Sequence, residues 1–448
     1  MPRAAEFRCR VLHGATPAGE RFLAALLDRH RDADPRVEEA ARAIVADVRA
    51  RGDVALAELT RRFDGVRLSP ARFAVPRAAR RRALAGLPAA LRGALERAHT
   101  QIAAFHARQM PGDDLYAARP GALLGQRVRA IDAVGLYVPG GRARYPSSVL
   151  MNAVPAKIAG VPRIVMVTPP GPAGVVAPEV LAAAEIAGVD EVWRVGGAQA
   201  IAALAYGTKT IRAVDKIVGP GNAYVTAAKR IVYGRVGIDG PAGPSEVVVI
   251  ADRDASPASV AADLIAQAEH DPDALALAFV VGAALAKAVA REVERRAAAA
   301  PRRAIVCEAL AARGAVVSVA SLEEALERAH RFAPEHLVVA VSDPLAVLPQ
   351  VGAAGSIFLG HDSPVTLGDY FAGPNHVLPT GGAARFTSGL GVWDFVTISS
   401  VTLYDRAALA READDVCAFA AAEGLHAHGE AVRARLGTTA PRKRKDRR

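Results

Sequence analysis

Ala133-Val-Gly-Leu-Tyr-Val138 runs straight into Pro-Gly-Gly, and after a helical stretch Arg163-Ile-Val-Met-Val-Thr168 repeats the arrangement. Short β-rich runs that end in Gly/Pro turns and alternate with helix-patterned sequence build βαβ units, and so a parallel sheet. Glu191–Val195 and Lys216–Val218 continue the series. A second series comprises Glu246–Ala251, Leu275–Val281, Ala315–Val319, Leu337–Val341 and Ser356–Leu359, with helices such as Pro257–Glu269 and Leu322–Phe332 between them. Upstream, Val37–Arg51 and Leu91–Arg108 carry apolar residues at three- and four-residue spacing, the mark of amphipathic helices. Beyond Gly391 only one strand-like run, Phe395–Leu403, precedes a helical end. The pattern predicts two α/β domains divided near Gly240–Pro244.

A chain of 448 residues, 51% of them hydrophobic, is too long for one ordinary core and has a globular composition. The longest apolar run, Ala274 to Ala286, is thirteen residues, short of a bilayer span. The first residues, Met-Pro-Arg-Ala-Ala-Glu-Phe-Arg, lack the apolar centre of a secretory signal, so a cytoplasmic protein without a membrane partner is expected. Net charge is +10, but residues 441–448 alone hold six bases and one acid, half of that excess. With no interleaved aromatics or helix-turn-helix pattern, specific nucleic-acid binding is not expected, and residues 436–448 read as a disordered basic tail. Cys9, Cys307 and Cys417 are far apart, which argues against a disulfide framework, a thiolate metal site and a cysteine nucleophile in a polar loop.

No G-x-G-x-x-G nucleotide fingerprint separates a strand from a helix here. Two other glycine turns take comparable places. Tyr137-Val-Pro-Gly-Gly follows a strand, and Gly219-Pro-Gly-Asn222 precedes the amphipathic stretch Ala223–Tyr233, with Asn222 as N-cap. The second turn fits a phosphate-attracting helix start, and it fits a plain turn and cap equally.

Residues 363–380, with three prolines and two glycines, read as an ordered loop carrying Asp369 and His376. Seven of the eleven histidines lie between 270 and 428. Gln267 and His270 are three apart at a helix end and share a face, a pairing suited to zinc or to a surface cap. In Ala333-Pro-Glu-His336, Pro334 turns the chain so that Glu335 and His336 start a new direction. An imidazole beside a carboxylate suits general-base work. Glu423-Gly-Leu-His-Ala-His428 adds an acid and two imidazoles.

Taken in order, Tyr137-Val-Pro-Gly-Gly, Gly196-Gly-Ala-Gln199, Gly219-Pro-Gly-Asn222, Ala242-Gly-Pro-Ser245-Glu, Gln267-Ala-Glu-His270, Ala333-Pro-Glu-His336, Gly368-Asp369 through His376, and Glu423 through His428 resemble the histidinol dehydrogenase family. The resemblance runs from about residue 30 to 435. It implies two incomplete Rossmann-like, aldehyde-dehydrogenase-like parallel-sheet domains with small N- and C-terminal segments. The implied divisions are 1–31, 32–136 with 244–390 (metal and catalysis), 137–243 (NAD), and 391–435, which reaches a partner subunit.

It further implies oxidation of L-histidinol to L-histidine through the aldehyde with two NAD, the last step of histidine biosynthesis. One zinc per subunit would be held by Gln267, His270, Asp369 and His428. Glu335 and His336 would be catalytic. Ser245, Gln267, His270, His336, Asp369, His376, Glu423 and His428 would meet the substrate, and Tyr137, Gln199 and Asn222 the NAD. A homodimer with shared active sites would let Glu423 and His428 act in trans. A dehydrogenase of another alcohol on the same scaffold, such as a sulfonated diol, is the nearest rival. A metal-dependent structural or polyanion-binding protein using the basic tail is a rival of another kind.

Overall fold

The computed structural model describes residues 7–28, 34–140, 144–240 and 243–437, in two compact units. The first unit takes in the chain up to 110 and from 131 to 395; the second takes in 111–130 and the chain from 396. Residues 1–6 and most of the basic tail (438–448) lie outside the described residues.

With strands numbered along the chain, the first unit holds two parallel sheets. The six-stranded sheet has the order β1 (Val11–His13), β11 (Gly314–Val319), β10 (Leu275–Val281), β9 (Glu246–Ala251), β12 (His336–Ala340) and β13 (Ser356–Leu359). The five-stranded sheet has the order β6 (Glu191–Trp193), β5 (Arg163–Val167), β4 (Ala133–Tyr137), β7 (Lys216–Val218) and β8 (Gly237–Ile238). The expected α/β class with two parallel sheets is what the structure has. Every residue of β9 and β11 is buried, because helices cover both faces and leave no polar side. On one face, Val247, Val249, Ala276 and Ala278 meet Val260, Leu264, Val289 and Val306. On the other, Val248, Ile250, Leu277 and Phe279 meet Leu23, Leu326 and Phe332.

Val45, Val48, Leu56 and Leu59, on helices Pro35–Arg51 and Asp53–Asp64, share a core with Ile201, Leu204, Val225 and Val165 of the five-stranded half. Strand β4, at 133–137, is the centre of that sheet. Periodicity reveals that a helix face is apolar but not which apolar surface it will meet.

The five-stranded sheet runs 3-2-1-4-5 in its own strand order, so the direction of winding reverses between β4 and β7. Ligands of open α/β sheets bind in the crevice past the strand ends at such a reversal.

The second unit is an antiparallel sheet, β14 (Val396–Tyr404), β3 (Ala122–Ala130) and β2 (Asp114–Arg119), with helices Arg406–Ala422 and His426–Leu436 packed on each other. The sequence reading found β14 but not the β2–β3 hairpin. All six residues of β2 are exposed, so no apolar alternation marks it. Its one local signal is Pro120-Gly121, with Gly121 at a φ of 77°. Among the described residues no helix is long and apolar enough to cross a membrane.

Candidate active site

The carboxyl ends of the helix Leu322–Phe332 and the start of β12 set the acid–imidazole pair. Ala333 takes a left-handed φ of 42°, Pro334 follows, and Glu335 and His336 then enter the sheet beside β9 and β13. A non-glycine residue in that region carries strain, here one residue from the proline that turns the chain. Both side chains are buried. Glu335 Oε2 accepts from the Glu246 N–H at 2.8 Å, and Ser245 also hydrogen-bonds to this carboxyl. Burial pushes the Glu335 carboxyl well above the usual carboxylate range.

His336 Nδ1 donates to the Glu246 carbonyl at 3.0 Å, with Glu335 Oε2 3.6 Å away. A carbonyl can only accept, so this bond puts the proton on Nδ1 and leaves the Nε2 lone pair free. Nε2 is buried without a hydrogen-bond partner, 3.8 Å from Asp369 Oδ1. Burial lowers the His336 pKa to about 4. The ring is therefore neutral at ordinary pH, with its basic nitrogen ready.

Residues 363–380 are not loop throughout. After Pro364 a short helix, Val365–Tyr370, carries Asp369, because proline favours the position just before a first turn. Burial raises the Asp369 carboxyl to about 6. His376 follows in irregular chain. Its Nδ1 donates to the Asp369 carbonyl at 2.8 Å, and its Nε2 lies 3.3 Å from Ser148 Oγ. Burial lowers its pKa to about 4. Asn375, also buried, donates to the Met151 carbonyl at 2.7 Å and accepts from the Val377 N–H at 2.9 Å, pinning the segment to the helix Pro146–Ile158. His336, Asp369 and His376 line one cavity of about 240 Å³ with Phe358, Leu367 and Pro374.

Gln267 ends the helix Pro257–Ala268 and is buried; His270 lies just past that end and is exposed. A positive charge on His270 would lower the proton affinity of both His336 and His376. Buried Gln267 Nε2 has no hydrogen-bond partner. An amide oxygen, imidazole nitrogens and a carboxylate are the kinds of donor that zinc takes. Among the described residues no three His, Cys, Asp or Glu side chains gather round one point. The expected set includes an amide, Gln267, and one group, His428, from the second unit. In that unit Glu423 caps the helix Arg406–Ala422 and His428 is in the first turn of His426–Leu436, both exposed.

The expected NAD residues lie at the carboxyl ends of the five-stranded sheet. Tyr137 ends β4 and is buried, its hydroxyl accepting from the Gly197 N–H at 3.1 Å. Gln199 is buried in the first turn of the helix Gly197–Tyr206. Asn222 is exposed, and its side chain accepts from the Val225 N–H at 3.1 Å as the N-cap of the helix Ala223–Val232. A Cβ on Gly219 would stand 2.2 Å from the Tyr137 carbonyl oxygen. The turn thus lies flush on the end of β4 at the winding reversal, and its capped helix start fits a dinucleotide phosphate. The Gly141 of the first turn lies outside the described residues.

Sequence reasoning missed Glu246 as the group that orients both Glu335 and His336 through its backbone; its place beside Ser245 was the available signal. Ser148 was missed with none. Burial raises the Cys9 thiol to about 12, which keeps it protonated and a poor nucleophile.

The enclosed neutral imidazole beside a protonatable acid belongs to a two-sheet α/β unit, and comparison with known proteins makes the chain a dehydrogenase. The chain belongs to the histidinol dehydrogenase family, whose description matches residues 27–436. It is 53% identical over 406 residues to the histidinol dehydrogenase of Synechococcus sp., covering 91% of this chain and 94% of that one. It is 52% identical over 417 residues to that of Rhizobium meliloti, covering 93% and 96%. The crystal structure of histidinol dehydrogenase from Elizabethkingia anophelis superposes with a TM-score of 0.91 at 33% identity, covering 97% of this chain and 99% of that one.

Proposed function

We propose that this chain oxidises L-histidinol to L-histidine by way of the aldehyde, with zinc and NAD, in the final step of histidine biosynthesis. The observation that carries the reading is the free, buried Nε2 of His336 in the cavity shared with Asp369 and His376. Gln267, His270 and Asp369, with His428, would hold zinc; Tyr137, Gln199 and Asn222 would meet NAD. When bound, zinc would anchor the substrate's imidazole and amine, and NAD would accept hydride.

His336 takes the hydroxyl proton on Nε2 as hydride leaves the adjacent carbon, giving the aldehyde. Its Nδ1–H bond to the Glu246 carbonyl holds the ring still while Nε2 changes state. Glu335 removes a proton from the water that adds to the aldehyde, and the raised affinity of its buried carboxyl for protons suits that task. His336 returns its proton to the aldehyde oxygen as the water adds, which frees Nε2 to take the hydrate's hydroxyl proton as the second hydride leaves, and Glu335 releases its proton to solvent. Ser245 and His376 contact substrate, joined by Glu423.

Residues 244–390 supply metal and catalysis, and 137–243 the NAD site. The chain works as a homodimer in which Glu423 and His428 serve the other copy's site. The exposed Phe419 and Leu425 beside them support this, because apolar side chains on such a segment favour a covering partner. A cytoplasmic setting suits three unpaired cysteines.

Zinc removal tests the reading. Chelation should abolish L-histidinol oxidation, and zinc should restore it together with about one bound metal per subunit. Full activity in metal-free protein, or oxidation of other alcohols but not L-histidinol, would contradict it.

A further inference from the structure

A buried lysine and a half-buried aspartate grip the Gly219–Asn222 turn from beneath. Lys229, on the helix Ala223–Val232, is only 2% exposed. Its ammonium donates to the Gly219 carbonyl at 3.1 Å and to Asp239 Oδ1. Asp239, directly after β8, accepts from the Gly219 N–H on Oδ2 at 2.7 Å and from the Gly240 N–H on Oδ1 at 2.8 Å. The N–H and the C=O of Gly219 are thus held by the two members of one ion pair. Gly219 itself has a φ of 110°, open to glycine and strained for other residues.

Stability is a poor explanation of this arrangement. A lysine and a carboxylate taken out of water lose much of their attraction to desolvation, and apolar residues of the same size often hold a core as well or better. The pair achieves something apolar packing cannot, which is to fix a peptide plane through directed, charge-assisted bonds. The plane it fixes leads into the helix start at the winding reversal. There, Asn222 satisfies the Val225 N–H and leaves the N–H groups of Ala223 and Tyr224 to an anion.

We propose that Lys229 and Asp239 are positioning residues of the dinucleotide site. They hold the Gly219 peptide so that the free N–H groups of the first helical turn meet the cofactor's pyrophosphate. The inference rests on the NAD reading of this crevice. A purely structural pair would loosen the whole unit when removed. A positioning pair affects the dinucleotide and spares the substrate.

The test uses the zinc-loaded full chain and two variants, Lys229→Met/Asp239→Asn and Asp239→Asn alone. The second keeps an acceptor for the Gly219 N–H and serves if the first does not fold. NADH binding is followed by fluorescence titration and L-histidinol binding by calorimetry, with KM determined for each. The NADH Kd and the KM for NAD should rise roughly tenfold or more. Both constants for L-histidinol should stay within about twofold of wild type. A folded variant that binds NADH as wild type does, or that loses both ligands in parallel, overturns the proposal. If the wild-type chain itself fails to bind NADH, the cofactor reading falls and takes this one with it.

Discussion

The two sheets of the first unit end in sites made from different material. Past β12, the working groups are side chains that titrate: Glu335 and Asp369 raised by burial, His336 and His376 lowered by it. Past β4 and β7, where NAD is proposed to bind, the groups on offer are peptide N–H groups, a glycine that lets two segments touch, and an asparagine cap. Desolvation suits the first site because proton transfer needs groups poised away from their solution pKa. A dinucleotide site, as proposed for the second, has no proton to move. It needs fixed dipoles, and its one buried ion pair cancels its own charge.

The widest break between the two should come from His336→Ala. Removing the base should lower kcat by roughly a thousandfold or more, with the NADH Kd unchanged. Steady-state kinetics beside a fluorescence titration checks both halves, and a parallel loss of NADH binding would merge sites held distinct here. Gly219→Ala should do the reverse. Its methyl would meet the Tyr137 carbonyl at 2.2 Å in a backbone region alanine avoids. NADH affinity should fall by about tenfold or more while L-histidinol binding, measured by calorimetry, holds.

The smallest effect concerns Asp64, the unpaired acid near Tyr137. Its Oδ2 is buried without a partner, and burial raises its pKa from 3.8 to about 6. The folded chain thus holds this proton more tightly than the unfolded one. The stability cost is absent below the unfolded value, grows as pH rises from about 4 to 6, and is complete above that. Asp64→Asn should therefore stabilise the protein by ~1–2 kcal/mol at pH 8 and by almost nothing at pH 4. Denaturant unfolding at the two pH values decides it; an equal gain at both would locate the effect elsewhere.

The contrast also governs what could be read from the chain. The inner strands of both parallel sheets were legible because they are buried on two faces and punctuated by Gly and Pro, whereas the short edge strands β1 and β8, not buried, were missed. The β2–β3 hairpin was not legible either, since its exposed residues carry no apolar alternation. Glu335, His336, Asp369 and His376 were legible as residue types set beside turns. Their shifted proton affinities were not, because these come from burial by segments far away in sequence. The short helix bearing Asp369 was hidden by the Gly/Pro density of its surroundings. The destination of helices Pro35–Arg51 and Asp53–Asp64 was hidden because an apolar stripe does not name its partner.

The central claim is that one acid–imidazole pair carries both oxidations. Counting NADH formed per L-histidinol consumed, with L-histidine measured in the same reaction, tests it most directly. Two NADH and one L-histidine per substrate, with no free aldehyde, is the expected result. One NADH per substrate with aldehyde released, or no NADH at all, would contradict it.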